Sequence, residues 1–148
     1  MYTDFDFHSG SGVAAILQRS SEGDASIIVT DLRSDSQLAT IENRYLPAGP
    51  RISPDGRSLA FFGNGRIYVH SFEKNTTRAV FDRPDVHAGF PYWSPDGTEL
   101  VFSAYDTPID RSRPPKIFGI ELATGKTTKI SEGPGVDRFP HLSATGRY

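Results

Sequence analysis

The side chains that could perform catalysis or bind a metal are few and widely separated in this sequence. The 148 residues include four histidines and no cysteine, and no two histidines have the i, i+4 spacing of a helical metal site. The absence of cysteine excludes thiol catalysis, disulfides and cysteine-ligated zinc. A serine–glycine cluster at residues 9–12 lacks the spacing of a nucleophile elbow. The sequence therefore predicts no catalytic group, no metal and no cofactor.

Two carboxylates, Asp55 and Asp96, lie in a recurring motif that explains them without chemistry. One copy reads Pro91-Tyr92-Trp93-Ser94-Pro95-Asp96-Gly97, a second covers residues 50–56, and a third begins at 140–146. Ser-Pro-Asp-Gly suits a type I turn, because proline presets φ, aspartate tolerates the third position and glycine adopts the left-handed fourth. We interpret both aspartates as turn residues and Trp93 as core between blades.

The spacing of the motif predicts the architecture. Pro50, Pro91 and Pro140 are 41 and 49 residues apart, and each complete period contains four short apolar runs separated by turn residues. Three residues beyond the third run stand Asp35, Asn75 and Gly125, types that accept a positive φ. A period near 40 with four strands is typical of a β-propeller.

We predict an all-β fold, a propeller segment of about three four-stranded antiparallel blades and the first strand of a fourth. Residues 1–148 form a single partial domain, with approximate blades at 4–42, 48–81 and 89–131 and the start of a fourth at 138–148.

The motif resembles a known family of repeats. Pro-x-Trp-Ser-Pro-Asp-Gly-x-x-Leu-Val-Phe at residues 91–102, with the weaker copies, is similar to the WD-repeat-like propeller repeat of TolB-type proteins. The third apolar run of each period, as at residues 66–70 and 116–122, also resembles the third strand of that repeat. The resemblance implies a non-catalytic binding scaffold, and a periplasmic location if the chain is a piece of a TolB-like protein. It equally admits the propeller of a prolyl-oligopeptidase-like hydrolase or of an oligogalacturonate-lyase-like enzyme.

Closed propellers have four to eight blades, more than this sequence provides. We therefore expect either a fragment of a longer protein, which we favour, or copies that associate through open blade edges.

The candidate binding residues are the ones that vary between repeats. Within the motif Arg51, Tyr92 and His141 are equivalent, and a ring would direct such first-strand residues toward the channel. The loops before these strands add Asp85, His87, Asp137 and Arg138. A proline-rich insertion at 105–115 carries Asp106, Asp110, Arg111 and Arg113, and insertions in repeat proteins gather on a binding face. In the lyases, channel histidines hold a metal; we do not extend that role to His87 and His141. The expected partner is a protein or a peptide.

Charge and hydropathy narrow the remaining classes. Sixteen basic and 18 acidic residues give a net charge of −2 without a basic stripe, so no nucleic-acid partner is expected. No apolar run approaches the ~18 residues of a membrane span, so no membrane insertion is expected. The N-terminus lacks a basic segment followed by an apolar one, so we expect no signal peptide in this chain and a cytoplasmic location by default.

Overall fold

A computed structural model describes residues 4–83, 86–105, 114–143 and 145. These residues form three antiparallel four-stranded sheets, each built from strands that are consecutive in the chain. Blade 1 contains β1 (Phe5–His8), β2 (Val13–Arg19), β3 (Ala25–Asp31) and β4 (Ser36–Ile41). Blade 2 contains β5 (Ala48–Ile52), β6 (Ser58–Gly63), β7 (Arg66–Ser71) and β8 (Thr76–Phe81). Blade 3 contains β9 (Ala88–Trp93), β10 (Glu99–Ala104), β11 (Lys116–Glu121) and β12 (Thr127–Lys129). The predicted propeller blades are confirmed.

The Ser-Pro-Asp-Gly turns join the first two strands of blades 2 and 3. In blade 3 the Gly97 amide donates to the Ser94 carbonyl at 2.9 Å, and Gly97 has φ +74°. The Ser94 hydroxyl and the Thr98 amide both donate to Asp96 Oδ1, at 2.6 and 3.0 Å. Asp55 makes the same contacts in blade 2. Both aspartates are thus turn residues, as the sequence predicts.

The third turn of each blade also follows the sequence pattern. Asp35, Asn75 and Gly125 have φ of +51°, +48° and +72°, the left-handed conformation that tight hairpins require. Asn64 and Gly65, between β6 and β7, have φ of +51° and +76°, which fits a type I′ hairpin turn.

A β-bulge interrupts the first strands of blades 2 and 3. The register with the second strand shifts at Gly49-Pro50 in β5 and at Phe90-Pro91 in β9. Proline suits such a bulge because it has no amide hydrogen for the ladder. The residue before each proline has a positive φ, +58° at Gly49 and +57° at Phe90. The strand therefore bends at the same point in both blades.

The core lies between the blades. One cluster joins blades 1 and 2 and contains Ile27, Val29, Leu59 and Phe61. The second joins blades 2 and 3 through Ile67, Leu100, Phe102 and others. Neighbouring residues of β7 point into different clusters, Tyr68 into the first and Val69 into the second. Each sheet is therefore apolar on both faces wherever it has two neighbours.

Residues 138–143 follow blade 3 where the next first strand is predicted. The His141 ring lies 4.1 Å from the Tyr92 ring, and the Ser143 and Thr145 hydroxyls are 3.0 Å apart. The latter contact occupies the positions of the Ser94–Asp96 bond in the blade 3 turn. Residues 138–143 are not paired into a sheet.

Among the described residues no helix is long and apolar enough to span a membrane.

Equivalent positions in blades 1 and 2 give a matched test of the interblade core. Phe61 is fully buried, whereas Ile16, at the same position in blade 1, is 39% exposed. We expect Phe61→Ala to lower the free energy of unfolding by about 3–5 kcal/mol and Ile16→Ala by about 1 kcal/mol or less. Urea denaturation followed by circular dichroism measures both. Equal losses would contradict the burial of Phe61 between blades 1 and 2.

The turn carboxylates predict an acid-dependent stability. The Ser94 hydroxyl and the Thr98 amide lower the pKa of Asp96 from 3.8 to about 2, and the Ser53 hydroxyl lowers the pKa of Asp55. A lowered pKa means that the ionised form stabilises the fold; its contribution is complete above the unfolded-state value near 3.8 and is lost as the pH falls toward 2. We expect the free energy of unfolding to decrease over that interval.

The double variant Asp55→Asn/Asp96→Asn should be less stable than the parent near neutral pH and should lose less stability between about pH 4 and pH 2. Urea titrations at several pH values test this. Glu22→Gln, in the exposed loop between β2 and β3, is the control and should keep the acid dependence of the parent. A double variant with the parent's pH profile would contradict this role of the turns.

Candidate functional site

One position of the first strand lines the same cavity in blades 1, 2 and 3. Asp6, Arg51 and Tyr92 occupy equivalent register positions, since each pairs with the second-strand residue nine positions later. His141, the motif equivalent in the fourth repeat, packs its ring on Tyr92. The first strands contact one another along this side of the blades. A carboxylate, a guanidinium, a phenol and an imidazole thus form one row.

The cavity beside this row, which we call the channel cavity, has a volume of about 320 Å³. It lies at the end of the first strands where they enter the Ser-Pro-Asp-Gly turns. Its walls combine polar and apolar groups from every repeat: Asp6, Phe7, His8, Arg51, Ile52, Pro54, Tyr92, Trp93, Pro95, Leu142 and Ser143. The volume falls in the range of small-molecule and side-chain pockets.

Hydrogen bonds between neighbouring first strands fix the walls of the channel cavity. The Ile52 amide donates to Asp6 Oδ2 at 2.6 Å, which joins blades 1 and 2. Trp93 Nε1 donates to the Arg51 carbonyl at 2.8 Å, which joins blades 2 and 3. Trp93 is buried, so its predicted role in the interblade core is confirmed.

The guanidinium of Arg51 is held from two sides. Its Nη1 donates to the Pro50 carbonyl at 2.6 Å and lies 3.7 Å from Asp4 Oδ1. These contacts leave the side chain half-buried at the cavity wall. The site can hydrogen-bond a polar group and stack on a planar one.

The structure divides the predicted binding residues between two places. His87 and Arg138 line a different cavity, at the opposite end of β9 from Trp93. They do not share a cavity with Arg51 and Tyr92, which the sequence predicts to converge with them at one mouth. The sequence signal was ambiguous because the first strand carries candidate residues at both of its ends.

Asp137 forms a hydrogen bond and an ion pair with other residues of the chain. Its Oδ2 accepts from the Ser131 hydroxyl at 2.8 Å and from Lys116 Nζ at 3.0 Å, and these contacts lower its pKa in that order. Lys116 Nζ also donates to the Gly135 carbonyl at 2.5 Å. These bonds fix residues 131–137 against β11.

The remaining predicted site residues, Asp85, Asp106, Asp110, Arg111 and Arg113, lie outside the described residues. Their binding role stays a prediction.

Two of the histidines, His8 and His70, form hydrogen bonds with nearby residues of their own blades. His8 Nδ1 bonds the Ser11 hydroxyl at 2.8 Å and the Ser11 amide at 3.1 Å, which closes the blade 1 turn. The His70 ring is buried; Nδ1 bonds Thr77 Oγ1 at 2.9 Å, Nε2 has no partner, and burial lowers the pKa. In a serine–histidine nucleophile, a carboxylate bonds the second ring nitrogen of the histidine. Within the described part of the chain, no carboxylate bonds the second ring nitrogen of His8. In that part, no three histidine, aspartate or glutamate side chains are grouped to hold a metal.

Comparison with known proteins identifies the fold. No protein-family model matches the chain. TolB, the Tol-Pal system protein of Francisella tularensis subsp. tularensis (strain WY96-3418), is 29% identical over 86 residues, which cover 56% of this chain and 19% of TolB. TolB of the subspecies mediasiatica (strain FSC147) is 28% identical over the same length. The chain spans about a fifth of the length of these curated relatives.

Solved structures extend the likeness over most of the chain. Acinetobacter baumannii TolB superimposes with a TM-score of 0.66 at 21% identity and covers 86% of this chain and 32% of its own. The fold is that of a TolB-like β-propeller. These matches are to TolB-like propellers, and the WD-repeat part of the interpretation stays a prediction.

Propellers of enzymes share this TolB-like fold. A prolyl endopeptidase matches with a TM-score of 0.67 at 15% identity, over 88% of this chain and 22% of its own. An oligogalacturonate lyase in complex with manganese matches with a TM-score of 0.63 at 19% identity, over 83% and 37%. At such identities the likeness concerns the fold alone.

Asp6 is the residue that the sequence reasoning missed. The blade 1 turn lacks proline and aspartate. Its left-handed glycine, Gly12, lies one position further from Asp6 than Gly56 lies from Arg51 in blade 2. The nine-residue spacing from the first strand to the second was the available signal. Counting back nine residues from Ala15 gives Asp6, just as counting back nine residues from Ala60 gives Arg51.

Asp6 gives a test of this TolB-like arrangement. Asp6→Ala should lower the free energy of unfolding by about 1 kcal/mol, because the Ile52 amide loses its acceptor. Asp6→Asn should retain most of the stability, since its amide oxygen accepts the same bond. Chemical denaturation measures the difference, with Glu73→Ala in the exposed β7–β8 turn as the control. Equal loss in the alanine and asparagine variants would show that the Ile52 bond does not stabilise the fold.

Proposed function

We propose that this chain is part of a non-catalytic β-propeller scaffold of the TolB type, which holds a protein or peptide partner at the channel cavity. The observation that carries the proposal is the row of Asp6, Arg51, Tyr92 and His141. Each repeat has a different side chain at this single position, so that three chemistries line one cavity and the imidazole of His141 packs on Tyr92 beside it. Constant framework with variable contact positions is typical of binding repeats.

The chemistry of the row favours recognition over catalysis. Arginine and tyrosine dominate the energetics of protein interfaces, because each combines a large contact area with directed hydrogen bonds. Bonds between blades hold the backbone of β5 at Arg51, whose carbonyl accepts from the Trp93 indole, and at Ile52, whose amide donates to Asp6. A site whose walls are fixed in this way loses little conformational entropy on binding.

The similarity to a Tol-Pal system protein directs the choice of partner and location. We propose a component of that system as the partner, and the periplasm as the location of the complete protein. We further propose that Asp85 and the insertion at 105–115 contribute binding contacts, as the sequence predicts. The open face of blade 1, where Phe5 and Phe7 are exposed, is the surface through which self-association would occur.

The single tryptophan provides a direct assay. Trp93 lines the channel cavity, so a bound partner should change its fluorescence. Purified chain is titrated with the purified Pal component of a Tol-Pal system. Tyr92→Ala and Arg51→Ala should each weaken binding about tenfold, and Thr128→Ala on β12 should leave binding unchanged. Circular dichroism checks that each variant is folded.

Two results would contradict the proposal. One is saturable binding of Pal, detected by biolayer interferometry, without any change in Trp93 emission. The other is equal weakening by Thr128→Ala and Tyr92→Ala, which would place the contact on the outer strand of the blade.

A further inference from the structure

A second cavity lies between blades 2 and 3, at the end where the first strands begin. We call it the interblade groove; its volume is about 330 Å³. It is separated from the channel cavity by the length of β9. Its walls come from the β6–β7 hairpin, the start of β9, the end of β10 and the chain that follows blade 3: Leu46, Phe62, Gly63, Asn64, Gly65, His87, Ala88, Gly89, Phe90, Ser103, Tyr105, Pro115 and Arg138.

Three phenyl rings form a continuous ladder, and two of them, Phe62 and Phe90, line this groove. The centroids of Phe62 and Phe90 are 5.0 Å apart, and those of Phe90 and Phe139 are 4.4 Å apart. Both pairs are tilted, an arrangement that aromatic rings prefer over a face-to-face sandwich. Phe139 is 63% exposed at the outer end of the ladder. A ring that enters the groove therefore meets aromatic surface already in place.

The backbone holds two of these rings in a strained conformation. Phe90 and Phe139 have φ of +57° and +55°, a region that costs a non-glycine residue about 1–2 kcal/mol. The equivalent residue of blade 2 is Gly49, which adopts φ +58° without that cost. Residues in strained backbone conformations are concentrated at active sites and ligand sites, where the surrounding structure holds them in place. The two phenylalanines occupy a position where glycine satisfies the bulge.

Two basic side chains line the described part of the groove. Among the described residues that line it, the basic side chains are His87 and Arg138, and none is an aspartate or a glutamate. The Lys116–Asp137 pair behind the groove is internally neutralised at 3.0 Å. A guanidinium beside an apolar aromatic wall selects a ligand that presents a carboxylate next to a ring.

We propose that the interblade groove binds an extended acidic peptide segment in which a phenylalanine or tyrosine stands beside a glutamate or aspartate. The aromatic side chain packs on Phe62 and Phe90, and the neighbouring carboxylate pairs with Arg138. The groove shares no lining residue with the channel cavity, so this inference does not rest on the proposed scaffold function.

The test uses a defined probe, the peptide acetyl-Gly-Glu-Phe-Glu-Gly-amide. Two matched peptides replace both glutamates by glutamine or the phenylalanine by alanine. Binding to the full chain is followed by amide chemical shifts in ¹⁵N NMR spectra. Gly63, Gly65 and Gly89 line the groove, and we expect their amides to shift with the acidic aromatic peptide and to shift little with either control.

Two variants assign the contacts. Phe90→Gly removes a ring and relieves the strained φ, so it should fold and should weaken binding about tenfold. Arg138→Gln should weaken binding about three- to fivefold, as expected for a partly exposed ion pair, and the glutamine peptide should not distinguish it from the parent. Arg19→Gln, at an exposed position on blade 1, is the charge-matched control and should leave binding unchanged.

The outcomes separate clearly. Shifts at the three glycines that depend on Phe90 and Arg138 support the proposal. It is overturned if the glutamine peptide binds as well as the glutamate peptide, if both variants bind like the parent, or if the shifts map to Asp6 and Arg51. A failure of Pal to bind the channel cavity would leave these results unaffected.

Discussion

Each blade of this protein is a single layer of four strands, and a single layer buries its side chains only when another sheet lies against it. The second strands show the consequence most clearly. Leu59, Ala60 and Phe61 are all fully buried although they point alternately to opposite faces. Burial on both faces explains why these strands are continuous apolar runs, whereas a sheet with one solvated face alternates. The angle at which neighbouring blades meet then determines which first-strand side chains share a cavity.

Directional contacts set that angle within the apolar packing. The hydrophobic effect is not directional, so it holds the sheets together without fixing their relative position. The Asp6 carboxylate on the Ile52 amide and the Trp93 indole on the Arg51 carbonyl supply the missing direction. Both bonds join first strands, at the side where the blades approach most closely. The row of cavity residues is therefore a product of the same contacts that align the blades.

Local chemistry made much of the fold predictable. Asp35, Asn75 and Gly125 were expected at positive φ from residue type and spacing alone, and the turns confirm this. Phe90 and Phe139 were not expected there, because a residue before proline ordinarily adopts an extended conformation and phenylalanine gains nothing from a left-handed one. At Phe90 this conformation accompanies the bulge in the pairing with β10, which sequence spacing does not reveal; Phe139 adopts it although residues 138–143 are not paired into a sheet. The division of His87 and Tyr92 between two cavities likewise depends on the length and direction of β9.

The order of strands has a consequence for the way in which the chain acquires its structure. Every described strand pairs with the strand next to it in sequence, so each blade closes through three hairpins, all of them short except the one in blade 3 that contains the insertion at 105–115. The entropy lost on closing such loops is small, and proteins rich in local contacts fold quickly for their size. All four strands of blade 1 also precede the strands of blade 2 in the chain. During synthesis the chain can therefore assemble from its N-terminus, one sheet at a time, with each completed sheet offering an apolar face on which the next one forms.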